Sequence, residues 1–366
     1  MLDRRHLRTV DWRLVTAVAL LAGLGLAMIY SATYDPTSGR VGSEFGRQVA
    51  ALAIGLAAGV ACLAIDYRTL ADRWRFAFGA LSVLLAYTLL FGDEVGGGRR
   101  WIDLGPTSVQ PSEFARPAVA LALAALYTRN PGWPRPRSDW LIGGALVAVP
   151  FLLIAWEPDL GTAVTLLPVY VVVMVFAGLR LRTLAACAVV GMLLAPVVWA
   201  YGLEESQRSR LVTFLVPESD PLEAGYQQIQ ARITVGAGGL TGRGFLQGTQ
   251  SRYDFLPAAH NDFIFSVLAE EQGFLGVVVT LGLYLFVIFR SLNAARVARD
   301  RTGTYLVVGI MAGFSFQVLY NVAMSAGLAP VKGLTLPLLS YGGSSVVATL
   351  MGFGLVLNVG MRRFTN

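Results

Sequence analysis

Runs of about 20 apolar residues, separated by short polar segments, recur from one end of this 366-residue chain to the other. A helix needs roughly 20 apolar residues to cross a bilayer core, and ten runs qualify: about 13 to 33, 47 to 65, 76 to 92, 112 to 128, 140 to 156, 160 to 179, 183 to 203, 262 to 290, 304 to 325 and 343 to 361. The fourth and fifth are short and polar-flanked. The pattern predicts an all-α integral membrane protein of ten transmembrane helices, organised as one polytopic domain over 1–366. The first run is too long for a secretory signal and no small-residue cleavage site follows it, so it reads as a retained span. Between the seventh and eighth runs, residues 204–261 are too polar to span and too long for a simple connection. Loops longer than roughly 15 residues are usually functional.

Composition agrees: 55% of residues are hydrophobic, 14% are charged and the mean hydropathy is +0.59, too little polar surface for a soluble domain of this size. Charge then sets orientation. With the N-terminus inside, the inner segments hold Arg4, Arg5, Arg8 and Arg13; Arg68, Arg73 and Arg75; Arg129, Arg135 and Arg137; Arg180 and Arg182; Arg290, Arg296, Arg299 and Arg301; and Arg362 and Arg363. The acids there are only Asp3, Asp11, Asp66, Asp72, Asp139 and Asp300. Every inner segment is net positive, as the positive-inside rule expects of a ten-span, N-in, C-in topology. The net charge of +6 is therefore an orientation signal. No basic patch or aromatic module supports a nucleic-acid partner. Cys62 and Cys187 fall inside apolar runs and build no disulfide or metal framework.

The other acids and bases crowd the outer face, in four segments. The first runs from Gly96 to Gly105, with Arg100 beside Trp101, and on to Gln110-Pro111-Ser112-Glu113. A cation beside an amphipathic ring suits the headgroup level. Pro111 to Glu113 also reads as a helix start, and Glu113 lies one turn from Arg116. The second is the turn Glu157-Pro158-Asp159-Leu160-Gly161, where capping alone accounts for the acids. The third, residues 204–261, carries Arg210, an amphipathic stretch from Tyr226 to Val235, and a glycine run from Gly236 to Gly244. Its arginines suit a diphosphate, whereas its glycines equally well simply turn. It closes on His260-Asn261-Asp262, where Asn261 is the expected N-cap. Asp262, Ser266 and Glu270 then share one face of the following helix. A carboxylate at the start of a membrane helix is costly and marks a site by default, although capping and a structural hydrogen bond are the plain alternatives for Asp262 and His260. The fourth segment, 327–345, is apolar yet broken by Pro and Gly; such backbone survives at membrane depth only inside protein or beside water. It holds Lys332, the only lysine of the chain, and Ser344.

Taken together, Arg100-Trp101, Gln110 to Glu113, Glu157 to Gly161, Arg210 before Phe214-Leu215, the glycines leading to Gly248-Thr249-Gln250, His260 with Asp262, and Ser340 to Ser345 resemble the SEDS proteins. These are the RodA and FtsW group of bacterial shape, elongation and division proteins, and the resemblance covers nearly the whole chain, leaning to the RodA branch. Two positions depart from it: Ala258, where many members have Glu, and Asn261, where most have Thr. The resemblance implies a peptidoglycan glycosyltransferase that polymerises lipid II outside the cytoplasmic membrane, beside a growing glycan strand and a class B penicillin-binding protein. It implies a catalytic role for Asp262 and functional roles for Trp101 and Glu113. The substrate-binding set expected here is Arg100, Trp101, Glu113, Asp159, Arg210, His260, Lys332 and Ser344, with Arg210, Lys332 and Arg100 on the departing diphosphate. No metal-ligand cluster is legible, although a divalent cation such as Mg would be able to share the diphosphate. Two other classes compete: a lipid II flippase, for which polar residues should line both faces, and a non-catalytic scaffold for the penicillin-binding protein.

Overall fold

The computed structural model describes residues 9–35, 38–95, 98–103, 105, 108–129, 137–202, 205–220, 224–253 and 255–364. Arg4, Arg5, Arg8 and Arg135 of the basic segments, Gly96 and Gly97, and Pro221 lie outside them. Helices dominate: α1 (Trp12–Thr33), α2 (Ser43–Ala64), α3 (Tyr67–Asp72), α4 (Trp74–Phe91), α5 (Ala115–Arg129), α6 (Arg137–Trp156), α7 (Leu160–Val164) and α8 (Leu166–Phe176). They continue with α9 (Leu181–Val197), α10 (Glu205–Leu215), α11 (Ala224–Ala237), α12 (Thr249–Arg252), α13 (Ile264–Arg296), α14 (Arg301–Ser325) and α15 (Gly343–Met361). Seven of them, α1, α2, α4, α6, α13, α14 and α15, are long and apolar enough to cross a membrane; α5, the pair α7–α8 and α9 are shorter. Each run expected from the sequence falls on one of these ten. Short strands were not expected. A hairpin, β1 (Tyr34–Asp35) with β2 (Arg40–Val41), follows α1, and a three-stranded antiparallel sheet, β3 (Asp93–Val95), β4 (Gly98–Asp103) and β5 (Ser108–Val109), follows α4.

The bundle is built around α14, the helix with the most side chains shut inside among its neighbours α5, α8 and α13. On its flank α2 and α15 run at close quarters because small residues face each other. Gly55 and Gly59 lie one turn apart on α2, a spacing that lets helix backbones approach in a membrane, where association depends on packing rather than on expelling water. A side chain on Gly354 would strike the Gly59 carbonyl, and one on Gly59 would sit 2.9 Å from the Leu350 carbonyl. The other end of the pair is fastened by Asn358, whose amide donates to the Cys62, Leu63 and Ile65 carbonyls at the end of α2.

Helix α13 is broken. Gly273 has φ 65 and ψ −168, and the glycine run at 238–244 plugs the gap. Arg243 and Gly244 donate backbone N–H groups to the Glu270 and Glu271 carbonyls, at 2.9 and 3.0 Å, while Phe274 and Leu275 donate to Gly239 and Leu240, at 2.9 and 3.1 Å. Side chains at Gly238, Gly242 or Gly273 would collide with the opposing backbone. These glycines therefore serve a backbone junction and not a phosphate cradle.

Close packing of α2 on α15 predicts that Gly354→Ala destabilises the protein by about 1–3 kcal/mol through overpacking. Gly282→Ala, at a helical site with nothing within 4 Å, should leave stability unchanged or slightly raised. Thermal unfolding of the two variants in one detergent checks the contrast, and equal midpoints would refute it.

Candidate active site

Asp262 lies before α13 and outside it. The helix begins at Ile264 with Phe263 as its N-cap residue, and no side chain caps it. Asn261 and Asp262 both donate backbone N–H groups to the Ala258 carbonyl, at 3.0 and 3.2 Å, in a turn where Ala258 takes φ 51. The cause is Phe263. It is fully buried in a small apolar cluster with Leu256, Val267 and Met324, which draws the first turn into the protein and leaves Asp262 on the approach to it. The expected stripe of Asp262, Ser266 and Glu270 is thus not formed. Ser266 and Glu270 are buried, and Glu270 accepts from Thr249 N and Oγ1, at 2.7 and 2.9 Å, and from Gln250 N. It anchors α12 rather than facing a cavity.

The Asp262 carboxylate is half-buried, and among the described residues nothing donates a hydrogen bond to it. Its backbone is fixed instead: Asn321 Nδ2 on α14 donates to the Asp262 carbonyl at 2.9 Å and to the Leu334 carbonyl at 2.7 Å. One amide thereby registers the Asp262 turn against the segment that carries Lys332. Gly333, at φ 66, presents no side chain there, and a Cβ on it would lie 3.7 Å from Asp262 Oδ2.

Across this segment stands Asp159. It caps α7 through Thr162 N at 3.1 Å, and its second oxygen accepts from Gln110 Nε2 at 3.0 Å. Gly161 lets the Lys332 backbone come close, since a Cβ there would sit 2.7 Å from the Lys332 carbonyl. Asp262 and Lys332 consequently each feel both Arg210 and Asp159. Burial pushes the Asp262 carboxyl up to about 6; Arg210 pulls it down and Asp159 pushes it up. Burial also lowers the Lys332 ammonium, as does Arg210, while Asp159 raises it. Two cations and two carboxylates make a site balanced in charge.

The remaining expected residues surround this centre. Arg100 does not reach into it: Nε and Nη2 donate to the Glu157 and Pro158 carbonyls at 3.0 and 3.1 Å, closing the turn that presents Asp159. Two of its N–H groups are thereby spent on backbone. Trp101, on β4, is half-buried above the end of α4, its carbonyl against Gly92. Glu113 is buried and ion-paired with Arg116, which also donates to Gln317; Gln317 donates to Thr335, and Thr335 to Ser345. Ser344 accepts from Gln110 N at 2.8 Å, so Gln110 bridges Ser344 to Asp159. His260 stacks at a tilt on Tyr341, with ring centroids 5.8 Å apart, and its carbonyl accepts from Tyr341 N at 2.9 Å. Burial holds its imidazole below the usual value.

Sequence reasoning missed three supporting groups. Asn321 and Gln317 lie four residues apart in an apolar span, and polar side chains so placed mark interior contacts. Glu157 was noted only as part of a cap. It is fully buried, accepts from Thr88 Oγ1 at 2.5 Å, and is pushed up to about 7 by burial, against the Thr88 hydrogen bond. Among the described residues no group of three or more His, Cys, Asp or Glu side chains forms a metal site. Asp262 and Asp159 are the two carboxylates through which a cation would touch this site.

The family model described as "Cell cycle protein", that of FtsW, RodA and SpoVE, matches residues 12–364. Among curated relatives, the chain is 36% identical over 361 residues to the peptidoglycan glycosyltransferase MrdB of Escherichia coli K12, covering 99% of this chain and 95% of that one. A solved structure described as "Structural coordination of polymerization and crosslinking by a peptidoglycan synthase complex" superposes with a TM-score of 0.84 at 36% identity, covering 98% of this chain and 99% of that one. The crystal structure of RodA, the rod shape determining protein of Thermus thermophilus, gives 0.73 at 32% identity and covers 98% of each chain. A match over nearly the whole length in sequence and in fold leaves one assignment: the chain belongs to the FtsW/RodA/SpoVE family.

Proposed function

We propose that this protein is a peptidoglycan glycosyltransferase that polymerises lipid II into β-1,4-linked glycan for wall elongation and cell shape. The observation that carries the reading is Asp262: a half-buried carboxylate with no hydrogen-bond donor among the described residues, under the influence of Arg210 and beside the segment that carries Lys332. Asp159 is unsuited to the same role because both its oxygens are committed, to Thr162 and Gln110. In a single inverting displacement the acceptor sugar hydroxyl attacks the anomeric carbon. The bond from that carbon to the diphosphate oxygen breaks, its electron pair leaves with the diphosphate, and the hydroxyl proton passes to Asp262. Arg210 and Lys332 stand where the diphosphate charge grows, the term that usually contributes most. Asp159 acts through Lys332 by keeping it protonated against burial and Arg210.

The same reading assigns ten crossings, the seven long helices with α5, α7–α8 and α9, and an N-in, C-in topology with Asp262 on the extracytoplasmic face of the inner membrane. It treats the chain as one polytopic domain, with the outer loop at about 204–261. Arg68, Arg73, Arg75, Arg290, Arg296 and Arg362 lie at the opposite ends of their helices from the site, which supports that orientation. The family's MrdB and RodA relatives support the elongation branch, and the synthase-complex structure supports a class B penicillin-binding protein as partner.

Gel analysis of glycan formed from purified lipid II, with and without the partner, tests this. Asp262→Asn should lower polymerisation by about 10²–10⁴-fold, the usual worth of a positioned general base, while the folded protein elutes unchanged. Polymer at the native rate would refute the assignment, and none from either protein would favour transport or scaffolding. Lys332→Gln should lower kcat, and an unchanged rate would remove it from the diphosphate.

Acidity gives an independent check. Only the ionised Asp262 accepts a proton, so kcat/KM should rise with pH and level off above about 6. Arg210 lowers that carboxyl, so Arg210→Gln should move the acid limb to higher pH, and Asp159→Asn should move it to lower pH. Limbs that stay in place in both variants would break the link between the limb and Asp262.

A further inference from the structure

The turn that presents Asp159 is gripped by three elements. The end of α6 holds its backbone, where Glu157 N and Asp159 N both donate to the Ile154 carbonyl at 3.2 Å. From β4, Arg100 donates to the Glu157 and Pro158 carbonyls at 3.0 and 3.1 Å, and a Cβ on Gly98 would stand 2.8 Å from the Glu157 carbonyl. The third grip comes from inside the bundle. Thr88 Oγ1, on α4, donates to Glu157 Oε1 at 2.5 Å, and both residues are fully buried. Neither has a part in the reaction described above.

Thr88 stands one turn before the end of α4, and its own carbonyl accepts from Gly92 N at 2.8 Å, so the helix fixes its position. Its hydroxyl has one hydrogen and three acceptors within reach. Glu157 is the nearest, and the Leu84 and Leu85 carbonyls lie at 3.0 and 2.9 Å. Those carbonyls are already served by the N–H groups one turn further along α4. The Glu157 carboxyl has no other hydrogen bond among the described residues, and its second oxygen is shut inside without a partner. A dry acid with a single donor is destabilising where it stands, so the fold alone does not account for Glu157. Its place in the Asp159 turn does.

What the turn controls is the gap between Asp159 and the Lys332 segment. A Cβ built on Gly161 would lie 2.7 Å from the Lys332 carbonyl and 3.6 Å from Asp159 Oδ1, so the two are packed with no room for a side chain between them. Across that gap the Asp159 carboxylate raises the Lys332 ammonium, against burial and Arg210. A turn that slackened would carry Asp159 away from the cation it supports. We propose that Thr88 and Glu157 are positioning residues of this site, whose hydrogen bond holds the Asp159 carboxylate at the Lys332 segment and does so without a charge on Glu157. This rests on the reading of Asp159 as acting through Lys332.

Two measurements on the full chain test it: polymerisation of lipid II, and the rate at which Lys332, the only lysine, reacts with an amine reagent, followed on its peptide by mass spectrometry. Thr88→Val keeps the shape and removes the hydroxyl. It should lower kcat by about tenfold or more with little change in KM, since a misplacement near 1 Å costs up to about 10²-fold. It should also make Lys332 react faster, at the rate seen in Asp159→Asn, because the unprotonated amine is the nucleophile. Glu157→Leu should do the same, whereas Thr88→Ser and Glu157→Gln, which keep a hydrogen bond in place, should restore both readouts. In an Asp159→Asn background Thr88→Val should change neither readout further. Native values in Thr88→Val, a full further loss in the Asp159→Asn background, or a Glu157→Gln variant as slow as Glu157→Leu would each overturn the proposal. Asp262→Asn should leave the Lys332 labelling rate and its response to Thr88→Val as they are, so that failure of the polymerase reading and failure of this one are separately visible.

Discussion

Backbone that is not helical inside an apolar bundle must find its hydrogen bonds in side chains, because lipid offers none. The segment between α14 and α15 is the clearest instance. Tyr320 holds the Pro330 carbonyl, Asn321 that of Leu334, Tyr284 that of Pro337 and Gln48 that of Ser340. Each of these donors belongs to a membrane-crossing helix, so the segment is suspended from the bundle at four points. Lys332 and Gly333 sit in that span of backbone, and Asn321 extends the same support to Asp262. The positions of Lys332 and Asp262 are in this way set by the packing of the helices rather than by the loop's own preferences.

The charges follow from that suspension. Arg210 and Asp159 act in opposite senses on the Asp262 carboxyl and on the Lys332 ammonium, and the difference between the two acids lies in what else they touch. Asp159 is bound into a helix cap and to Gln110, which links it through Ser344 to the start of α15. Asp262, among the described residues, receives no such hydrogen bond on its carboxylate. Beneath them, Arg100 and Thr88 fix the Glu157 turn from either side, so a residue expected at the substrate supports the carboxylate opposite it.

Helices and their order were legible in the sequence because each span must carry its own apolar run. Asp262 and Lys332 were legible as charges beside apolar sequence, where charge is costly, whereas Asp159 read as a cap and Arg210 as one arginine of a polar loop. What the sequence left open was direction. Whether Asp262 lay inside or before α13 turned on the burial of Phe263, a tertiary fact, and capping statistics favour the wrong answer there. Arg100 has the same chemistry facing a diphosphate or two carbonyls, and only the position of the Glu157 turn decides. The glycine run at 236–244 carried a phosphate-like composition, yet its partner is a break thirty residues further on, at Gly273, that no local pattern announces.

That break is also bridged mechanically. Because Gly273 interrupts α13 and the turn at 238–244 is hydrogen-bonded into the gap, the turn holds the stretch from Ile264 to Gln272 by two backbone bonds and the stretch from Phe274 onward by two more. It acts as a splint, keeping the segment that follows Asp262 and the half of α13 that carries Arg290 aligned through backbone outside the helix. A displacement of the turn is passed to both halves together, and with them to the approach that carries Asp262.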